Sequence, residues 1–164
     1  MGHPRQHRPK WSRPLKPFDK NRIESESKII QQFGLRRKHE LWRAEGIVRD
    51  FRRRARELAA SPNQKLRDEL FARLKRLRLD ANTIDEILAL KTEDELNRRL
   101  QTILVKQGLA KTLAQARQLI VHRHVKVGDR VIRWPSTVVP AEFEDKIEIV
   151  QKAKKIAVGS GEKT

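Results

Sequence analysis

The sequence predicts an α+β fold that is mainly helical, and two periodicities in the placement of apolar residues indicate it. From Asp19 to about residue 121, apolar residues recur every three or four positions, the spacing of one face of an α-helix. After His124 they alternate with polar residues, and Gly128-Asp129 fits the two-residue loop of a β-hairpin. We therefore expect a helical chain whose last part forms a small antiparallel sheet.

Residues 1–18 form a basic N-terminal segment that should not be helical. Four of the seven prolines of the chain lie in it, and each proline fixes φ and lacks a backbone N–H donor. The segment offers almost no apolar side chains to bury. We expect an extended arm that becomes ordered against an anionic partner.

Residues 19–91 are predicted to form a helical subdomain. Its first helix begins near Asp19 and ends at Gly34, a residue type that commonly follows a helix. A longer helix should run from about His39 to Ala60, and a third should follow it with a leucine stripe that is typical of a core. The apolar face of the long helix comprises Leu41, Ala44, Val48, Phe51, Ala55 and Leu58. The leucine stripe comprises Leu66, Leu70, Leu74 and Leu77.

Three capping boxes, in which a Thr precedes a Glu or Gln by three residues, mark further helix starts at Thr83, Thr92 and Thr112. The helix that starts at Thr92 should end at Gly108, and a turn of about four residues then leads to the helix at Thr112. These two helices, the hairpin and a later strand with Ile147, Ile149 and Val150 make up a predicted module over residues 92–150. A basic tail over residues 151–164 follows.

The charge of the chain is large and unevenly distributed. Among 164 residues, 38 Lys and Arg stand against 21 Asp and Glu, for a net charge of +17. Residues 1–22 hold seven basic residues and one acid, residues 36–56 nine and three, and residues 98–133 nine and one. Such concentrated charge indicates a polyanionic partner. The Arg49, Arg52, Arg53 and Arg56 stripe of the long helix fits phosphates, and the alternative is pairing with Glu45 and Asp50.

Several classes of protein are excluded. The chain has no Cys, so disulfide scaffolds, thiolate metal sites and cysteine nucleophiles do not apply. No apolar run approaches the ~20 residues of a membrane span, and the N-terminus lacks the apolar region of a secretory signal. A P-loop and a glycine-rich dinucleotide fingerprint are also missing. We expect a cytoplasmic protein that is not an enzyme, with no cofactor, no metal and no membrane partner.

The residues of the predicted module, and those of the rest of the chain, resemble a known family. The segment from Arg99 to Val150 is similar to the S-four RNA-binding domain, also called the alpha-L motif. The rest of the chain resembles archaeal-type small-subunit ribosomal protein four. The matching residues in the domain are Arg99-Leu100-Gln101, Gly108-Leu109-Ala110, Ala116-Arg117-Gln118-Leu119-Ile120, His122, His124-Val125, Val127, Pro135-Ser136 and Asp145-Lys146-Ile147. Outside it they are the proline-rich arm, Gly34-Leu35-Arg36, Glu40-Leu41-Trp42 and Arg52-Arg53-Arg54-Ala55-Arg56.

The chain departs from the family pattern at two positions of this domain. Arg123 stands where the family usually has Gly between two His, and Gly128-Asp129 replaces the usual Asn-Gly of the hairpin tip. The hairpin should survive its change, because Gly still supplies the unusual φ that the turn requires.

The resemblance implies a structural constituent of the small ribosomal subunit that binds the 5′ domain of small-subunit ribosomal RNA directly and early in assembly. It further implies small-subunit protein five as a neighbour, mRNA near the entry channel as a partner, and a part in accurate decoding. Two alternatives stay open. One is an rRNA-processing or assembly factor of the same fold, and the other is the accessory RNA-binding module of an RNA-modifying enzyme.

The candidate RNA-binding residues are basic or polar side chains of the arm, the long helix and the module. His122 and His124 are alternatively a metal pair, and Trp134 either stacks on a base or packs over the hairpin. The candidates are Arg5, Arg8, Lys10, Arg13, Lys16, Arg49, Arg52, Arg53, Arg56, Arg98, Arg99, Lys106, Lys111, Thr112, Gln115, Arg117, His122, Arg123 and Arg130.

Overall fold

A computed structural model describes residues 11–79 and 81–150, and over these residues the predicted mainly helical α+β fold is confirmed. The helices are α1 (Lys20–Gln32), α2 (Lys38–Ala60), α3 (Gln64–Arg76), α4 (Ile84–Ala89), α5 (Thr92–Leu96), α6 (Leu100–Lys106) and α7 (Leu113–Val121). The strands are β1 (Val125–Val127), β2 (Arg130–Val131) and β3 (Ile147–Ile149), with a 3₁₀ helix over Ala141–Lys146 before β3. The basic tail and the candidates Arg5, Arg8 and Lys10 lie outside the described residues.

Helix α2 is shared by two apolar cores. All six apolar positions predicted for its inner face are buried. Val48 and Phe51 pack in a cluster with α3 and α4, while Leu41 and Ala44 pack with the end of α1 and with Leu96 of α5. A helix that buries its stripe against elements on both sides fixes their relative positions. A third cluster joins α6, α7 and the sheet.

The predicted hairpin is confirmed, and so is the later strand, which is β3 and completes a three-stranded sheet. The strand order is β2-β1-β3, and both pairings are antiparallel. Val125 lies opposite Ile149 and Val127 opposite Ile147, so the buried side chains share the face that packs on α6 and α7. Gly128 has a φ of 58°, which the two-residue loop requires.

The single helix predicted between Thr92 and Gly108 is wrong, because the chain is extended at Arg99, between α5 and α6. There the N–H of Leu100 donates to the carbonyl oxygen of Thr137 at 2.8 Å. The loop that follows β2 thus pairs with this segment and replaces its helical hydrogen bonds. Apolar spacing does not reveal such a break, since the residues on both sides keep the same period.

The predicted N-terminal caps of α4 and α7 are confirmed, and that of α5 is wrong. Thr83 and Thr112 each accept a hydrogen bond, at 3.2 Å, from the backbone N–H three residues later. Thr92 is instead the first residue of α5, and the N–H of Lys91 donates to Asp94 Oδ2 at 2.7 Å. Asp94, in the first turn of α5, therefore caps the helix in place of Thr92.

Four helices end with one residue in the left-handed conformation. Gly34 (φ 56°), Arg78 (53°), Gly108 (69°) and Arg123 (62°) follow α1, α3, α6 and α7 respectively. In each case the next N–H donates to a carbonyl oxygen five residues earlier, at 2.9 or 3.0 Å, which is the Schellman motif. Glycine adopts this conformation freely, whereas a side chain costs about 1 kcal/mol.

Gly34 lies where α1 meets the start of α7, and a Cβ atom there would come within 2.9 Å of Leu113 Cβ. Gly108 has nearly the same φ, and nothing lies within 4 Å of such an atom. We expect Gly34→Ala to lower the free energy of unfolding by about 1–2 kcal/mol more than Gly108→Ala, because only the former also overpacks. Urea denaturation of the two variants measures the difference, and equal losses would contradict a tight contact at Gly34.

Candidate nucleic-acid interface

Glu40 on α2 holds two of the candidate RNA-binding arginines. Its Oε2 accepts a hydrogen bond from Arg99 Nη2, and its Oε1 accepts one from Arg117 Nη2 at 3.1 Å. Arg117 also donates to the carbonyl oxygen of Gly34 at 3.3 Å. The Arg99 side chain is 4% exposed and that of Arg117 is 24% exposed. Both therefore face the helical subdomain, and their guanidinium groups are held by Glu40 and not turned to the outer surface.

The charge state of Glu40 reflects this environment. Burial raises the pKa of its carboxyl, but the hydrogen bonds and positive charges of Arg99 and Arg117 outweigh burial and lower it below the ordinary 4.5. Glu40 is thus ionised at neutral pH. A carboxylate with two guanidinium partners joins α2 to the segments on either side of α6.

Arg98 is a second candidate that faces inward. Its Nη2 donates to Glu144 Oε2 at 2.9 Å, and Arg78 Nη1 donates to the same oxygen at 2.6 Å. The hydrogen bond from Arg98 is the main reason why the pKa of Glu144 is lowered, since its effect and that of Arg78 exceed burial. Arg98 is 12% exposed and fastens the 3₁₀ helix to the start of α6.

The arginine stripe of α2 divides into residues with and without partners. Arg53 pairs with Asp50 at 2.8 Å and with Glu57 at 2.9 Å, so the alternative of pairing within the helix holds for it, through Asp50 and Glu57. Arg52 donates to the carbonyl oxygen of Leu90 and is half-buried. Arg53 is paired with two acids, and Arg52 is half-buried against a carbonyl oxygen. Neither is therefore an exposed guanidinium without a partner.

Arg49 and Arg56 are the exposed members of the stripe, and neither has a carboxylate within ion-pair distance among the described residues. Arg49 Nη1 donates to Ser12 Oγ at 3.1 Å, and Arg56 Nε donates to the carbonyl oxygen of Arg52 at 3.2 Å. Each keeps further N–H groups for an external anion.

The module retains a set of basic residues that no acid neutralises. Of the nine basic residues in 98–133, three are Arg98, Arg99 and Arg117, which pair inward. The other six have no carboxylate within 4 Å in the part of the chain that the structure describes, and all but the half-buried Lys126 are exposed. These six, the free cation set, are Lys106, Lys111, Arg123, Lys126, Arg130 and Arg133.

Sequence reasoning missed four exposed or half-exposed cations. Lys126 lies in β1 between two buried valines, and this alternation alone places its side chain on the open face of the sheet. Arg133 lies over the ring of Trp134, with its Cζ 4.6 Å from the ring centroid. Arg36 and Arg37 are exposed in the turn that follows Gly34, and their position beside a helix-ending glycine was the available signal.

Thr112 and Gln115 serve the fold before any ligand. Thr112 Oγ1 accepts from the Gln115 N–H, and Gln115 Oε1 accepts from the Lys111 N–H at 2.8 Å. This reciprocal capping begins α7. The exposed Lys111 therefore stands beside the helix N-terminus, where N–H groups and the helix dipole favour an anion.

His122 and His124 lie in the turn between α7 and β1 with their rings stacked, 6.3 Å between centroids. Within residues 11–79 and 81–150, no group of three or more His, Cys, Asp or Glu could hold a metal ion. Trp134 is 58% exposed, which favours the alternative of a stacking surface over that of a packed residue. The exposed His122 and Arg123 give the turn after α7 a polar surface, and Trp134 presents a separate exposed aromatic face.

The first described residue of the arm, Trp11, packs on the protein itself, whereas the sequence predicts an arm that becomes ordered against an anionic partner. The Trp11 ring lies 4.2 Å from the His39 ring and 5.6 Å from the Trp42 ring, between centroids. Trp11 thus packs on α2, because its large apolar surface finds two aromatic partners there. Arg13 and Lys16 remain exposed.

In the part of the chain that the structure describes, we find no helix with the length and apolarity that crossing a membrane requires.

The Glu40 network predicts a pH-dependent contribution to stability. Because the folded-state pKa of Glu40 lies below 4.5, its stabilisation is complete above that pH and is lost as the pH falls through the folded pKa. We expect Glu40→Gln to cost about 3 kcal/mol of unfolding free energy at pH 7 and less at pH 3, since the loss of the stabilisation begins below pH 4.5. Urea unfolding at both values measures this cost.

Glu57→Gln is the matched control for that substitution, because the Arg53–Glu57 pair is 60% exposed on both sides. It should cost under about 0.5 kcal/mol. Equal costs for the two variants, or a Glu40→Gln cost that does not change with pH, would contradict a stabilising network.

Comparison with known proteins agrees with this surface. The family model described as the S4 domain matches residues 98–145. The chain is 43% identical over 153 residues to small ribosomal subunit protein uS4 of Hyperthermus butylicus, which covers 90% of this chain and 87% of that protein. It is 43% identical over 152 residues to the protein of the same name from Ignicoccus hospitalis, with 90% and 92% covered. Both relatives are ribosomal proteins, which confirms the expectation that the chain is not an enzyme. The chain therefore belongs to the family of small ribosomal subunit protein uS4.

Proposed function

We propose that this protein binds the 5′ domain of small-subunit ribosomal RNA directly, as an early structural component of the small subunit. The free cation set carries the proposal. In a folded module, basic residues without acidic partners repel one another, and a phosphate backbone removes that repulsion. The same module uses Arg98, Arg99 and Arg117 inward, so its open cations are separate from those that hold the fold.

The shape of the surface suits RNA better than DNA. A-form RNA has a deep major groove that side chains cannot read, so proteins grip its phosphates, 2′-hydroxyls and unstacked bases. Lys111 at the start of α7 and Arg123 at its end are rigidly placed for phosphates. Trp134 offers an exposed aromatic face, and Arg133 over its ring adds a guanidinium plane for stacking.

The finer roles follow from the family. We propose cytoplasmic ribosomes as the location, small-subunit protein five as a neighbour, and a contribution to the mRNA entry channel and to accurate decoding. Exposed Leu15 and Phe18, at 101% and 92%, are apolar residues of the arm that a protein or RNA neighbour would cover. Crosslinking of native particles, with sequencing of the bound RNA, tests these contacts.

Salt dependence tests the electrostatic part of the proposal. If the six residues of the free cation set each meet a phosphate, the logarithm of the association constant should fall against the logarithm of salt concentration with a slope of about −4 to −5. Titration of a 5′-domain RNA fragment at KCl concentrations from about 50 to about 500 mM measures this slope, because counterion release dominates binding in this range. A nearly flat dependence would contradict phosphate binding, and equal affinity for a 3′-domain fragment would contradict the choice of domain.

Charge reversal separates residues of the surface from residues of the fold. Lys111→Glu should weaken RNA binding by about 1–3 kcal/mol and leave thermal stability nearly unchanged, since the ammonium group is exposed and unpaired among described residues. Arg117→Glu should instead destabilise the free protein, because it places a second carboxylate against Glu40. Calorimetry together with a binding assay on both variants provides the measurement. The division of roles is wrong if Lys111→Glu unfolds the protein while Arg117→Glu leaves it stable.

Arg123 gives a test in which stability and binding move in opposite directions. Its φ of 62° favours glycine, so Arg123→Gly should raise the free energy of unfolding by about 0.5–1 kcal/mol. The same change removes an unpaired guanidinium and should weaken RNA binding by about 1 kcal/mol or more. Urea unfolding and RNA titration of the variant measure the two effects. Unchanged RNA affinity would exclude Arg123 from the interface.

A further inference from the structure

A cleft of about 350 Å³ lies between α2, the α5–α6 junction and the loop after β2. This volume falls at the lower end of the range for small-molecule sites. Its walls combine aromatic side chains with several charged ones, and the loop closes it with small residues. The residues that matter for its chemistry are Trp11, His39, Arg43, Glu95, Arg117 and Ser136.

Glu95 is the unusual residue of the cleft. Its side chain belongs to α5, the residue is 6% exposed, and it accepts no hydrogen bond and forms no ion pair within 4 Å in the described structure. The other carboxylate of the cleft, Glu40, has its two arginine partners. Burial raises the pKa of Glu95 despite the opposing charges of Arg99 and Arg43. No group among the described residues donates to the Glu95 oxygens, which face the cleft, so a ligand that donates two hydrogen bonds can replace the solvent that meets them in the free protein.

The aromatic side of the cleft offers a stacking surface. The rings of Trp11 and His39 are in contact at a centroid distance of 4.2 Å, and both line the cleft. Trp11 is half-buried and His39 is exposed, so the pair is anchored on α2 and still open to a ligand. Aromatic faces of this kind accept unstacked bases. Arg43 is exposed on the cleft wall and can meet the phosphate attached to such a base.

We propose that this cleft binds an unstacked guanine base of the RNA, with the Glu95 carboxylate on its Watson–Crick edge and the Trp11–His39 pair against its face. Guanine carries two adjacent N–H donors, at N1 and at the exocyclic N2, and these match the two oxygens of one carboxylate. Adenine and cytosine each place an acceptor nitrogen beside their single amino group, which would face the carboxylate unfavourably. The base thus supplies the donors that Glu95 lacks within the protein.

This inference rests on the proposed function and is tested by base discrimination. Fluorescently labelled pentaribonucleotides with the sequences AAGAA, AAIAA and AAAAA are titrated with the full chain at low salt. Inosine lacks only the N2 amino group, so one hydrogen bond to a charged acceptor is removed. We expect the wild-type protein to prefer the guanine oligonucleotide over the inosine one by about tenfold, and over the adenine one by more.

Variants assign that preference to the cleft. Glu95→Gln should reduce the guanine-to-inosine ratio to below about threefold, while its melting temperature should rise or stay constant because burial disfavours the charged form of Glu95. Glu95→Leu provides a second variant of the same position, with an apolar side chain. Glu93→Gln, the same substitution two residues earlier in α5, is the matched control and should keep the ratio. Trp11→Ala should weaken all three oligonucleotides by about tenfold with the ratio unchanged.

Each outcome bears on one proposal. Equal affinity of the wild-type protein for the guanine and inosine oligonucleotides, or a preference that survives both Glu95 variants, overturns the guanine site and leaves RNA binding in place. Failure of the wild-type protein to bind the 5′-domain fragment overturns the proposed function itself, and the guanine site with it. A tenfold preference that both Glu95 variants lose, while Glu93→Gln keeps it, supports the site.

Discussion

The pairing of Glu40 with Arg99 and Arg117 is the interaction on which the arrangement of the molecule depends. Arg99 directly precedes α6 and Arg117 lies in the middle of α7, whereas the carboxylate belongs to α2. One acid therefore joins α2 both to the start of α6 and to α7. Breaking such a pair leaves a guanidinium buried without compensation, which is costlier than never having buried it. Gln101 adds to this junction by donating to the carbonyl oxygen of Phe33 at 2.7 Å.

The scarcity of acids decides which cations remain open. Each well-placed carboxylate neutralises more than one guanidinium: Glu40 holds two, Glu144 holds Arg78 and Arg98, and Asp50 pairs with Arg53 and Arg54. Glu40 and Glu144 lie at joints between elements, whereas Asp50 pairs within α2, and the cations that these acids do not reach lie on the open surface of the module and of α2. The protein thus separates its cations into a structural group and an external group without changing residue type.

The sequence predicted the elements better than it predicted the roles of individual arginines. Helical spacing identified the buried face of α2 correctly, since periodicity depends only on residues close in the chain. Arg99 and Arg117 were expected at the RNA because their acidic partner lies 59 and 77 positions away, and no local pattern reports such a contact. The break between α5 and α6 escaped prediction for the same reason, as its cause is a hydrogen bond from Leu100 to Thr137. Glu95 gave no signal either, because three neighbouring acids at a helix start are ordinary.

Arg78 and Arg123, the two arginines in left-handed conformation, illustrate the difference between structural and external cations. Glycine would end α3 and α7 at lower cost, as it does α1 and α6, so each arginine requires compensation. Arg78 obtains it within the protein, from Glu144 on the 3₁₀ helix. Arg123 is exposed, and no carboxylate among the described residues pairs with it. The hydrogen bond from the N–H of His124 to the carbonyl oxygen of Leu119 holds the backbone there, and a guanidinium at the end of a helix, between two imidazoles, is suited to a phosphate group.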